Sequence, residues 1–179
     1  MSNINPQYFF DRTRRAVFGG KLTQTQVSGI NKILAYRDAT WPKMPDEELA
    51  YLLATVTHET GFKMQPITEW GSIQYLKSKR YWPWIGRGLI QITWKTNYLK
   101  FGIKNPDDAL TWPVSLDVAF RGMILGMFTG KKLSDYIKPG KAPDYVGARA
   151  IINGTDKAKL IAGYANSYLD AITQSRATT

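Results

Sequence analysis

Two carboxylates ten residues apart, Glu59 and Glu69, are the side chains whose type and setting could do acid–base chemistry. Glu59 closes a stretch with helical periodicity. Asp46, Glu47 and Glu48 form an acidic first turn, suited to the positive end of a helix dipole, and Gly61 is placed to end the helix. Leu49, Leu52, Leu53 and Val56 fall at i, i+3, i+4 and i+7. At about 100° per residue, Glu59 lies about 20° from Leu52, on the edge of that apolar stripe. An apolar flank and the negative end of a helix both disfavour a charged carboxylate, the condition a general acid needs. The bland alternative is a Glu turned to solvent or paired with Lys63 at i+4. Glu69 lies beyond the helix in a loop that can fold back. It reads equally as an ordinary exposed acid, and Asp107, Asp108, Asp117 and Asp135 are the other mid-chain carboxylates.

Other chemistries fail on residue counts. His58-Glu59 begins like a zinc-protease motif, but Phe62 stands where the second His belongs, and the chain has one His and no Cys. No multi-His or Cys-ligated metal centre, thiol nucleophile or disulfide framework is available from such a composition. Gly126 to Lys132 misses the spacing of a phosphate-binding loop. Gly86-x-Gly88 alone is too common to mark a nucleotide site. No Ser sits in a nucleophile-elbow pattern.

A chain of 179 residues with 44% hydrophobic content predicts one domain with a sizeable core. Lys21 to Tyr36 reads as a helix capped by Thr23 or Thr25. Trp41-Pro42 and Met44-Pro45 break it before the Asp46 helix. Turns are expected near Pro66, Gly71 and Pro83, and at Gly86-Arg87-Gly88. Leu89 to Thr93 reads as a short extended or early helical piece. Asn105-Pro106-Asp107-Asp108 reads as a turn or cap. Ser115 is the expected cap of a helix carrying Leu116, Ala119, Phe120, Met123 and Met127, ended by Gly130. Ala142 to Ile152 reads as a helix, broken by Asn153-Gly154. A last helix opens at Thr155 or Asp156 and runs through Ile172, with residues 174–179 frayed. The sum is a mainly α protein with little or no strand.

The net charge of +10 predicts a polyanionic partner: nucleic acid, anionic lipid or an anionic cell wall. Lys77, Lys79, Arg80, Arg87, Lys95, Lys100 and Lys104 interleave with Trp70, Trp82, Trp84 and Trp94. That pattern suits single-stranded nucleic acid or a sugar polymer, and a solvated basic face beside core tryptophans is the plain alternative. The N-terminus has no apolar signal region, so synthesis in a cytosol without an export signal is expected. No apolar run approaches a membrane span.

Three segments then carry a resemblance. Thr57-His58-Glu59-Thr60-Gly61 resembles the His-Glu-Thr signature of glycoside hydrolase family 19, the chitinases and related phage endolysins. Tyr81 to Tyr98, YWPWIGRGLIQITWKTNY, resembles the family's second signature, and Ala150 to Gly154 its late Ile-Asn-Gly turn. The order matches over residues 57–154, and LTQTQVSGINKIL looks like the first helix of the endolysin branch. The resemblance implies a lysozyme-like or chitinase-like helical domain over residues 1–179, with a small lobe around 62–100 as one wall of a cleft. It implies hydrolysis of β-1,4 bonds to N-acetylated amino sugars with inversion and no cofactor. Glu59 then looks like the general acid and Glu69 the general base. Gln91, Thr93, Asn97, Asn153 and Trp84 are expected to contact sugar, with Thr93 holding the attacking water. Arg87 is also placed at the substrate, ordering acidic side chains. Thr96 stands where chitinases commonly carry Tyr. The combination points to a monomeric phage muramidase acting on bacterial peptidoglycan after release from the host cytoplasm by a membrane pore, rather than to a nucleic-acid binder. A chitinase, a lytic transglycosylase and a non-enzymatic basic wall- or nucleic-acid-binding module are the alternatives.

Overall fold

The computed structural model describes residues 4–177. An unassigned stretch of the sequence forms α1 (Pro6–Ala16), with Pro6 in the first turn and the Asn5 side chain accepting from the Tyr8 N–H. Helix α2 (Gln24–Thr40) starts three residues later and ends four later than the periodicity predicts. Its capping box settles the cap as Thr23: the hydroxyl accepts from Gln26 N, and the Gln26 side chain accepts from Thr23 N.

Helix α3 (Asp46–Glu59) has the predicted bounds but not the predicted one-sided stripe. Every residue from Glu48 to Thr57 is buried. Ala50 and Ala54 let neighbouring elements approach, and the threonines satisfy their hydroxyls locally. Thr55 donates to Tyr51 O at 2.9 Å and Thr57 Oγ1 bonds Leu53 O at 2.8 Å. Helix α3 is thus covered on all sides, a central rod rather than a surface helix. It ends in a Schellman turn: Gly61 N donates to His58 O and Phe62 N to Thr57 O, with Gly61 at φ +53°.

Strands β1 (Ile67–Thr68) and β2 (Arg87–Gly88) pair antiparallel, Ile67 with Gly88 and Thr68 with Arg87. The Gly86-Arg87-Gly88 turn expected from the sequence is therefore a strand with glycine shoulders. Between the strands lies α4 (Ile73–Lys77), capped by Ser72. Leu89 to Thr93 is a turn, and α5 (Lys95–Lys100) follows. A 3-10 helix over Pro106–Leu110 is capped by Asn105, as its sequence suggests.

Helix α6 (Trp112–Leu125) corrects both of its expected ends. Pro113 sets the start before Ser115, whose hydroxyl instead accepts from Leu89 N at 2.7 Å. Gly126, left-handed at φ +71°, stops the helix ahead of Gly130. After α7 (Leu133–Tyr136), the helix expected over 142–152 shrinks to a 3-10 turn, Gly147–Ile151. Pro143 lacks the N–H a helix needs, and Asp144 accepts from Gly147 N, closing a local turn. Helix α8 (Ala158–Ala177) begins after Lys157, at φ +57°, two or three residues later than predicted. It stays helical to Ala177, so the fraying expected from Gln174 is not seen there. Thr178 and Thr179 lie outside the described residues.

Helix α8 packs along α3 and α1. Thr57 Oγ1 and Tyr168 Oη share a buried 2.8 Å hydrogen bond between α3 and α8. At the other end, Arg176 makes a bidentate pair with Asp46, and Arg37 of α2 joins the same carboxylate. Helix α2 presses on the loop after α3. Gln26 Nε2 donates to Phe62 O and Gln65 Nε2 to Thr25 O. A Cβ at Gly29 would collide with the Met64 carbonyl. Gly29→Ala is therefore expected to lose about 1–3 kcal/mol in urea unfolding. A loss under about 0.5 kcal/mol would mean that the contact yields easily.

Candidate active site

A cleft of roughly 510 Å³ opens where three parts of the chain meet. The end of α3 supplies Glu59. The segment from α4 to α5 supplies Tyr81, Ile90, Gln91, Ile92, Thr93, Trp94 and Asn97. The loop after α6 supplies Phe128 and Thr129, and the residues just past the Gly147–Ile151 turn supply Ile152 and Asn153. Five of the eight site residues expected from the sequence therefore share one concavity: Glu59, Gln91, Thr93, Asn97 and Asn153.

Glu59 is held by Arg149, which lies far from it in the sequence. Arg149 Nη1 donates to Glu59 Oε1 at 2.8 Å, and Arg149 Nε donates to Asp156 O at 2.8 Å. The guanidinium is 2% exposed and the Glu59 side chain 16%. Apolar flank and helix end thus describe only part of the Glu59 environment, because a buried cation faces its carboxylate. Lys63, the other partner considered, instead places its ammonium 4.1 Å from the centre of the Trp70 ring. His58 is half-buried. Burial holds its imidazole below the ordinary value, with the Glu59 charge opposing and Arg149 assisting. Arg149 does carry a signal in sequence, as an isolated charge in Tyr145-Val-Gly-Ala-Arg-Ala-Ile-Ile152.

Glu69 does not line the cleft; it reaches the cleft through Tyr81. Its backbone N–H donates to Gly86 O at 2.7 Å, extending the β1–β2 pairing by one bond. Its side chain accepts from Tyr81 Oη at 3.0 Å and Gly86 N at 2.9 Å. Burial pushes the Tyr81 phenol up, and the bond to Glu69 adds to this, so Tyr81 stays a donor. Glu69 is thus an anchored acceptor, not a free loop acid.

The polar wall is built from its own backbone. Gln91, at φ +55°, donates from Nε2 to Ile67 O and Gly88 O. Thr93 Oγ1 donates to Gln91 O at 2.9 Å, and Asn97 Nδ2 donates to Thr93 O at 2.8 Å. These bonds use donors and, among the described residues, leave the Gln91 and Asn97 side-chain oxygens and the Asn153 side-chain amide without a protein hydrogen-bond partner. A Cβ at Gly86 would crowd Gln91 Oε1 and the Glu69 side chain, which shows how closely these groups approach one another.

Two expected contacts move. Trp84 does not line the cleft; its ring meets Tyr98 edge-on at 5.2 Å and packs against the core. Trp94 takes the place, 45% exposed, with its ring edge-on to Tyr81 at 5.1 Å. Its φ of +73° turns it to the opening. Arg87 is buried outside the cleft. It donates to Pro83 O at 2.8 Å and pairs with Asp107 at 3.1 Å. The acid it orders is Asp107, not Glu59 or Glu69, so it props the Pro83–Ile85 loop rather than meeting substrate. Among the described residues no group of three His, Cys, Asp or Glu is arranged to hold a metal ion.

No family model and no curated protein matches the sequence. Solved structures do share its fold. A Family GH19, class IV chitinase from Zea mays superposes with a TM-score of 0.54 at 19% identity, covering 97% of this chain and 94% of that one. Chitinase C from Streptomyces griseus gives 0.51 at 21% identity, covering 99% and 94%. The chain has the mainly α, chitinase-like fold of these proteins.

The Arg149–Glu59 pair should be energetically coupled. In a double-mutant cycle of Arg149→Met and Glu59→Gln, the single Arg149→Met change is expected to cost about 3 kcal/mol or more in unfolding free energy. The pair is expected to deviate from additivity by at least about 1 kcal/mol. Additive effects would contradict a direct interaction.

Proposed function

We propose that the chain is a peptidoglycan glycoside hydrolase, cleaving the β-1,4 bond between N-acetylmuramic acid and N-acetylglucosamine with inversion. The observation that carries this reading is a charge-clamped carboxylate, Glu59, on a cleft that also holds the anchor of a second one, Glu69 through Tyr81. On this reading Glu59 donates its proton to the glycosidic oxygen. Arg149 stabilises the carboxylate left behind, so the transition state, with the proton part-way transferred, gains more than the protonated ground state. Glu69, kept an acceptor by Tyr81 and Gly86, takes a proton from water on the opposite face of the sugar. That geometry calls for carboxyl groups about 6.5–9.5 Å apart. Gln91, Thr93, Asn97 and Asn153 supply polar contacts to N-acetyl and hydroxyl groups, and Trp94 an aromatic face.

Charge selects peptidoglycan over chitin. A +10 chain gains from a polymer bearing carboxylates and nothing comparable from a neutral one. A lysis enzyme reaching the wall from the cytoplasm of an infected cell fits this substrate. The chitinase reading draws on the two structural neighbours, both described as chitinases.

Digestion of purified peptidoglycan, with products read by mass spectrometry, separates the readings. Wild type should release hydrated fragments ending in reducing N-acetylmuramic acid. Glu59→Gln and Glu69→Gln should each lower the rate by at least about 10²-fold with the fold intact. Reducing N-acetylglucosamine ends would move the cleaved bond. Anhydro products persisting in Glu69→Gln would mean a transglycosylase. Cleavage of chitin oligomers but not peptidoglycan would establish the chitinase.

A further inference from the structure

The chain has a single Asn-Gly step, Asn153-Gly154, and its asparagine lines the cleft. An asparagine can modify itself through the residue that follows it. The next backbone nitrogen attacks the side-chain amide carbon, ammonia leaves, and water opens the resulting five-membered imide to aspartate or isoaspartate. The reaction needs a backbone N–H free of hydrogen bonds and a following residue that does not crowd the ring, which glycine satisfies best.

Among the described residues the fold leaves these conditions to Asn153 alone. Asn5 and Asn105 precede Pro6 and Pro106, which have no N–H. Asn31 and Asn166 lie inside α2 and α8, where helix bonds occupy the next N–H. The N–H after Asn97 belongs to Tyr98 and donates to Trp94 O at 3.2 Å. Gly154 N, by contrast, donates to no protein group. A Cβ at Gly154 would meet nothing within 4 Å, so the space for an imide ring is open. Both residues are exposed, between the Gly147–Ile151 turn and α8. Asn153 N donates to Arg149 O at 2.9 Å, which keeps the side chain at the cleft while the peptide unit after it has no hydrogen bond to hold its N–H.

We infer that Asn153-Gly154 is a self-modification site that retires the cleft with age. Gly154 N bonds to Asn153 Cγ, the Cγ–Nδ2 bond breaks, and ammonia departs with the Gly154 amide proton. Water then adds its hydroxyl to one imide carbonyl and its remaining proton to the released nitrogen. The product carries a carboxylate where the cleft had an amide donor, in a site that already holds Glu59. Its effect on activity rests on the hydrolase reading above, in which Asn153 contacts sugar and the substrate bears carboxylates. The isoaspartyl form also inserts the side-chain carbon into the backbone between Arg149 and Asp156, whose carbonyl holds the Arg149 guanidinium.

The test is incubation of the whole chain at pH 8 and 37 °C. Peptide mapping by mass spectrometry follows the gain of about 1 Da, and isoaspartate is labelled with an isoaspartyl methyltransferase. A synthetic peptide spanning 149–157 gives the rate without the fold. Conversion at Asn153 is expected within about tenfold of the peptide's rate, because backbone without protecting bonds behaves as open chain. Asn31, Asn97 and Asn166 should stay unconverted, and Gly154→Ala should slow the reaction at least about tenfold, in the chain and in the peptide. Activity on peptidoglycan should fall in proportion to the converted fraction. Slower conversion than this, equal conversion at the helical asparagines, an unchanged rate in Gly154→Ala, or full activity after complete conversion would overturn the inference. A fresh chain inactive on peptidoglycan would instead sink the hydrolase reading, and the mass measurement would still decide whether the site converts.

Discussion

A guanidinium with 2% exposure cannot be left without partners in this fold. Burying an unpaired charge costs several kcal/mol, and Arg149 meets that constraint with two partners. One is the Asp156 carbonyl, just ahead of α8; the other is the Glu59 carboxylate, at the end of α3. The same pair therefore joins the late 3-10 turn to the central helix and fixes the direction in which Glu59 points. Asn153 N donates to Arg149 O, so the backbone that presents Asn153 to the cleft is tied to the same residue. Disturbing Arg149 should loosen one whole side of the cleft, not one side chain.

The burial of α3 on every side explains why the site stands at its end. A helix clad by α8, α2 and α6 has no side face to offer a polymer, and its C-terminus is where the chain returns to the surface. The Schellman turn at Gly61 reverses the chain at once. The two-strand pairing of Ile67–Thr68 with Arg87–Gly88 then brings Glu69 back beside Tyr81 and Gly86. Ten residues of chain separate the two carboxylates in sequence, and a helix end on one side and a strand end on the other hold them. Each is supported by regular backbone hydrogen bonds, which suits the acid–base roles proposed for the two carboxylates.

What the sequence made legible was local. The bounds of α3, a cap at Thr23 or Thr25 for α2 and the end of α3 at Gly61 follow from periodicity and backbone preference within a few residues. The one-sided stripe was wrong because small residues and self-satisfied threonines let α3 bury its other faces, which depends on neighbours distant in the chain. Arg149 lies 90 residues from Glu59, and its pairing is a tertiary fact. The exchange of Trp84 for Trp94 has a similar cause. Both belong to one aromatic-rich segment, and the positive φ at Trp94 decides which ring faces the opening. Helix α1 was missed, although Pro6 and the Asn5 cap are both visible in sequence.

The central claim is a single displacement by water between two carboxylates, and the configuration of the first product tests it most directly. Soluble glycan strands would be digested in the NMR tube, and the anomeric protons of new reducing ends followed from the earliest times. The account predicts that the α-anomer appears first and then mutarotates, because water attacks the face opposite the departing β-linked oxygen. The β-anomer appearing first, or no reducing end at all, would contradict it.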